Sequence, residues 1–157
     1  MRISVRHGLL AVSLAVAGCY TSLSPASDTP HPTTGSDNPM KIRIQTDKNE
    51  LTATLEDNAT ARDFVQLLPL DLTLSDYNRT EKISDLPKKL STADAPPGID
   101  PSVGDIAYYA PWGNLAIFYR EFRYSGGLVK LGTVDSGIEK LREKGPVKVR
   151  IELANDD

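Results

Sequence analysis

The chain is poor in the side chains on which much enzymatic chemistry depends: its 157 residues include one Cys, two His and one Trp. A single Cys excludes an intramolecular disulfide framework. Cys19, His7 and His31 all precede residue 40, so residues 40–157 contain neither Cys nor His. A Ser-His-Asp triad, a Cys-His pair, a thiol redox centre and a Cys/His zinc site are therefore excluded from any domain built there. Carboxylates, Lys, Tyr, Ser/Thr and Arg remain, and neither a cofactor nor a metal is expected. An excess of positive charge is missing too. With 18 Lys+Arg against 21 Asp+Glu the net charge is -3, which argues against nucleic acid as a partner. A phosphate-cradling Gly loop is also lacking, because Ser125-Gly126-Gly127-Leu128 leads into a β-type run and not a helix. That segment reads as a hairpin turn.

No apolar run is long enough to span a bilayer as a helix; the longest, residues 8–18 (GLLAVSLAVAG), has about eleven residues. Arg2, Arg6 and His7 precede it, which gives residues 1–18 the layout of a secretory signal. The run closes on Val16-Ala17-Gly18-Cys19, which resembles the bacterial lipoprotein signal. That resemblance implies a diacylglyceryl group on Cys19, which becomes the first mature residue and the membrane anchor. The expected location is the extracytoplasmic cell envelope. Tyr20 stands where Asp would favour inner-membrane retention, and this points to the outer membrane where one exists. Residues 19–39 supply the lipidated Cys and a tether rich in Ser, Thr, Pro, Asp and Gly, a composition that buries too little apolar surface to offset the entropy of ordering.

The patterning changes at Met40, and residues 40–157 read as one domain. Residues 41–46 and 51–55 alternate polar and apolar around a turn at Asp47-Lys48-Asn49, which predicts a β-hairpin. Residues 58–68 carry Ala61, Phe64, Val65 and Leu68 at helical spacing, with a capping residue in front and Pro69 behind. Asn58 and Asn78, each in a glycosylation-type sequon, read as cap and turn residues. Residues 70–74 form a strand, and residues 75–82 a polar loop whose charges are expected to be solvated. The stretch 91–104, with three Pro and two Gly, reads as a long surface connection. Strands follow at 105–109, 115–119, 128–134 and 147–153, with a second short helix at 137–143 capped by Ser136. About eight strands and two short helices without a βαβ rhythm predict a mainly β fold, a closed antiparallel eight-stranded barrel with a helix at each end. The first and last strands, each with one apolar and one charged face, are expected to meet at the seam.

The combination Leu68-Pro69-Leu70, Asp76-Tyr77-Asn78, Glu81-Lys82-Ile83, Leu90, Gly104-Asp105, Phe118-Tyr119 and Leu131-Gly132, with the block Tyr108-Tyr109-Ala110-Pro111-Trp112-Gly113-Asn114, resembles the bacterial cyclophilin-like fold proteins. The resemblance implies an eight-stranded barrel capped by two helices. True cyclophilins are peptidyl-prolyl isomerases, and their reaction needs no nucleophile or metal, since an Arg stabilising the twisted amide lowers a barrier of about 18–20 kcal/mol. The cyclophilin Phe-His-Arg segment and Gln-Gly-Gly motif are absent from this chain. Under an isomerase reading the catalytic candidate is Arg79, beside Tyr77, whereas Arg120 and Arg123 belong to an exposed strand end.

Seven aromatic residues crowd into 108–124, and alternation along a strand turns one of Tyr108/Tyr109 and one of Phe118/Tyr119 away from the core. The expected ligand site combines Tyr109, Trp112 and Tyr119 with Tyr77 and Glu81. Two functional expectations follow: a membrane-anchored, non-catalytic module that binds a small molecule or peptide, and, as the alternative, an envelope peptidyl-prolyl isomerase with a rearranged site.

Overall fold

A computed structural model describes residues 39–154; the expected signal, Cys19 and nearly all of the expected tether lie outside the described residues. β1 (Lys41–Thr46) and β2 (Glu50–Leu55) form the expected hairpin, and the Thr46 hydroxyl oxygen accepts from the Lys48 and Asn49 amides to shape its turn. α1 (Ala59–Val65) begins where the Asn58 side chain accepts a 2.8 Å hydrogen bond from the Ala61 amide. The strands that follow are β3 (Leu70–Tyr77), β4 (Glu81–Asp85), β5 (Gly98–Ile99), β6 (Asp105–Tyr109), β7 (Asn114–Phe118), β8 (Ser125–Gly126) and β9 (Leu128–Val134). A 3-10 helix (Ile138–Arg142) and β10 (Val147–Leu153) complete the domain.

Eight of these strands close into a barrel in the order β1-β10-β3-β4-β7-β6-β9-β2, and every neighbouring pair is antiparallel. The seam falls where the two-faced first and last strands predict, with Ile44 opposite Ile151 and Arg43 opposite Glu152. Each pair keeps like with like: the isoleucines face the core, and the Arg43 guanidinium donates to Glu152 outside it at 3.0 Å. α1 joins the end of β2 to the start of β3, whereas the 3-10 helix joins the end of β9 to the start of β10, at the opposite mouth of the barrel. Phe64 from the first and Leu141 from the second are fully buried, and each such apolar side chain contributes about 1.5–3 kcal/mol by leaving water.

Three local expectations are corrected. Residues 75–82 are not a loop, because β3 runs on to Tyr77 and β4 begins at Glu81. Only residues 78–80 turn, with Asn78 and Arg79 both left-handed and the Thr80 amide donating to the Tyr77 carbonyl at 3.0 Å. β4 escapes a sequence reading because its polarity is inverted: Lys82 points inward opposite Ile117, and Ile83 points outward opposite Ala116. The second helix is a 3-10 turn without a Ser136 cap; left-handed Gly137 occupies the cap position and no side chain bonds there. Ser125-Gly126 is not a hairpin turn either, since β6 lies between β7 and β9. It forms a two-residue ladder with Gly98-Ile99, and a Cβ on Gly98 would lie 2.3 Å from the Ser125 carbonyl oxygen. This clasp pins the long connection against the barrel.

Candidate functional site

The barrel wall has a second apolar layer on its outside. Ala107, Ala116, Phe118 and Leu128 form a buried cluster separate from the core, with Ile83, Ile99, Tyr109 and Phe122 packed against it. Period-two alternation explains the division: on β7, Leu115 and Ile117 fill the barrel, while Asn114, Ala116 and Phe118 line the outer face. Ala116 at the centre leaves room for a depression. A cavity of about 180 Å³ opens there.

Four of the five residues expected at the ligand site, Tyr77, Glu81, Tyr109 and Trp112, line this cavity. They come from the end of β3, the start of β4, the end of β6 and the β6–β7 turn. Trp112 stands edge-on to both tyrosines, with ring centroids 5.5 Å from Tyr77 and 5.3 Å from Tyr109. Such edge-to-face contacts are the favoured aromatic geometry, and they hold a residue that remains 56% exposed. The turn itself is closed by the Gly113 amide donating to the Tyr109 carbonyl at 2.8 Å. Behind it, Gly127 has φ +79°, and a Cβ there would meet Pro111 Cδ at 2.9 Å. Glycine at this position lets the Trp112 turn seat against the start of β9.

Tyr119 is the exception. It lies beyond the end of β7, is buried, and donates its hydroxyl to Asp76 Oδ1 at 3.0 Å instead of reaching the cavity. Phe118 takes the outward position, because opposite Glu81 it falls on the same face as that residue. Tyr108 is the inward member of the other pair; its hydroxyl accepts from the Leu90 amide at 3.1 Å.

The charges of the 76–82 segment are not solvated as a group. Lys82 is completely buried; its ammonium donates to the carbonyls of Glu143 and Gly145 at 2.7 and 2.8 Å and pairs with Asp76 Oδ2 at 3.0 Å. The Gly145 amide also donates to Asp76, so β3, β4 and the segment after the 3-10 helix meet in one polar cluster. Burial raises the Asp76 carboxyl, but hydrogen bonds from Lys82, Tyr119 and the Gly145 amide outweigh it and hold its pKa below the ordinary value. Burial and the neighbouring Asp76 push the Tyr119 hydroxyl up to about 12.

Glu81, one residue from Lys82, faces the cavity and is only 8% exposed. Burial raises its pKa, against a lowering hydrogen bond from Thr80, whose hydroxyl donates to Oε2. Among the described residues it has no ion-pair partner. At the other end of β7, Asn114 is 2% exposed and its Oδ1 has no hydrogen-bond partner among the described residues. Asn114 is not among the residues the sequence places at the ligand site. The signal that could have found it is the polar member of the outward series Asn114, Ala116, Phe118. Arg79 sits exposed at the tip of the β3–β4 turn and does not line the cavity. Arg123 lies over the Phe122 ring at 5.5 Å, outside the lining, and among the described residues no Lys or Arg lines the cavity.

A closed eight-stranded antiparallel barrel with a helix at one mouth and a 3-10 turn at the other is consistent with a cyclophilin-like barrel. The profile of the Cyclophilin-like family matches residues 44–152, and the chain belongs to that family. Among solved structures it is similar to the solution structure of the hypothetical protein AF2241 from Archaeoglobus fulgidus, with 20% identity and a TM-score of 0.56 over 74% of this chain and 95% of that one. That likeness is one of fold. No curated protein matches the sequence.

Proposed function

We propose that this protein is a non-catalytic binding module, held at the cell-envelope membrane through lipid on Cys19, that takes a small molecule or a peptide side chain into the outer-wall cavity. The observation that carries the reading is convergence: Tyr77, Glu81, Tyr109 and Trp112, from separate elements, wall one recess of about 180 Å³. Drug-sized ligands occupy pockets of about 300–1,000 Å³, so the recess suits a small molecule or one group of a larger one. Isomerisation of an X-Pro bond is not favoured, because no arginine lines the cavity among the described residues.

Trp112 is the only tryptophan in the chain, so its fluorescence reports on the recess without labelling. Untargeted mass spectrometry of the purified protein should release a small ligand, and that ligand, added back, should change Trp112 emission saturably. A folded Trp112→Ala variant that retains the same ligand overturns the reading. An NMR exchange assay on X-Pro peptides should show no acceleration; acceleration lost on replacing Arg79 would restore the isomerase alternative. Incorporation of labelled palmitate that disappears in Cys19→Ala tests the anchor.

A further inference from the structure

We infer that the outer-wall cavity selects a cationic ligand, an organic ammonium group carried on a short apolar body, with Glu81 as its counter-charge. This rests on the binding reading above and deepens it. A carboxylate removed from water is costly unless it is paired and hydrogen-bonded. Glu81 is 8% exposed, accepts one hydrogen bond from the Thr80 hydroxyl, and has no cationic partner among the described residues. Among the described residues no Lys or Arg lines the cavity, and Glu81 is the one charged group in its lining. A cation from outside would supply the missing countercharge and favour the ionised carboxylate.

The aromatic rim fits the same chemistry. Ring faces attract an ammonium through their quadrupole, within about 6 Å of the centroid. Tyr77, Trp112 and Tyr109 all line the cavity, with the Trp112 ring nearly perpendicular to the other two. An anion would meet the Glu81 carboxylate and be repelled by it. The floor at Ala116 and Phe118 accepts a short apolar body. Asn114, whose Oδ1 lacks a partner among the described residues, is a second polar group for the far end of the ligand, four positions along β7 from Phe118, the residue that lies opposite Glu81. Free amines and the side chain of an exposed lysine share this chemistry.

The test is a set of near-isosteric probes titrated against the Trp112 fluorescence of the protein: 2-phenylethylammonium, neutral 2-phenylethanol and anionic phenylacetate. The ammonium probe should bind about tenfold more tightly than the alcohol, as a hydrogen bond to a charged group implies, with phenylacetate weakest. In Glu81→Gln the ammonium and the alcohol should bind within about twofold of each other, a loss of preference and not of binding. N-acetyl-lysine methylamide distinguishes the sources: tighter binding than 2-phenylethylammonium marks a peptide side chain, and weaker binding marks a free amine. Equal or tighter binding of the alcohol or phenylacetate by the parent overturns the inference and leaves the cavity a binding site of another specificity. Failure of all the probes to bind saturably at millimolar concentration overturns the binding reading itself. Should Glu81→Gln fail to fold, the order of the three probes on the parent protein decides the matter alone.

Discussion

Glu81 and Lys82 are adjacent on β4, nearly equal in burial and opposite in charge, and the alternation of the strand sends them to opposite sides of the barrel wall. Lys82 finds a carboxylate and two carbonyls waiting for it, whereas Glu81 finds a threonine hydroxyl and a wall of aromatic rings. The difference separates two uses of a buried charge. The inner one is spent on architecture, tying the segment after the 3-10 helix to β3 and β4. Among the described residues the outer one is left without an ion-pair partner beside a recess open to solvent, which is the arrangement a ligand can complete.

The comparison is broken most forcefully from the inside. Lys82→Ala leaves Asp76 without its counter-charge and two carbonyls without their donor, and loss of one member of a buried pair costs about 3–5 kcal/mol; because Asp76 retains 28% side-chain exposure, the expected loss is about 3 kcal/mol, read as a lower urea midpoint at unchanged slope. Trp112→Ala should do the reverse. It removes a half-exposed ring, so the midpoint should move little, while affinity for an ammonium probe, followed by calorimetry, falls by about tenfold or more.

Acidity sharpens the contrast, since the two carboxyls shift in opposite directions. Asp76 lies below its ordinary value of 3.8, so the stability it lends is present above that value and is lost as pH falls through its lowered pKa. Glu81 lies above its ordinary 4.5, so its contribution is complete below 4.5 and is lost as pH rises through the raised pKa. Replacing Glu81 with Gln should remove only the second loss. Denaturation curves at successive pH values should therefore show the variant gaining on the parent above 4.5, and a constant difference would refute the assignment.

Tyr119→Phe deletes one hydrogen bond to Asp76 and should cost about 1 kcal/mol, leaving ammonium affinity unchanged because the ring does not reach the cavity. The smallest effect is expected at Arg79, held at φ 60°. Arg79→Gly should relieve a left-handed residue and raise stability by a few tenths of a kcal/mol, roughly, without touching affinity.

Much of the barrel was legible because its wall is written in period two. The strands around the seam carry uninterrupted alternation, and Asn58 announces the start of α1. What escaped was β4, where the rule runs backwards: an inward lysine and an outward isoleucine look like a solvated loop to any pattern that equates charge with exposure. The recess was legible in the crowding of aromatics between 108 and 124 but not in its facing. Nothing local decides whether Phe118 or Tyr119 turns outward; the register of β7 against β4 decides it, by setting Phe118 opposite Glu81. Asn114 was hidden for a related reason, since a residue after Pro-Trp-Gly reads as turn until the strand that begins with it is known.

The seam between β1 and β10 also governs the order in which the molecule can assemble. β1 and β3 lack one neighbour each until the strand that sits between them has been made, and that strand, Val147–Leu153, comes last in the domain. A nascent chain must carry two open strand edges and an unsealed core through nearly its whole synthesis, and its decisive pairing spans more than a hundred residues, with Ile42 opposite Leu153. Such long-range closure is slow, and open edges invite pairing with other chains. Folding of this barrel is therefore expected to be limited by a single late docking event, after which no edge remains on the barrel wall for a neighbour to extend.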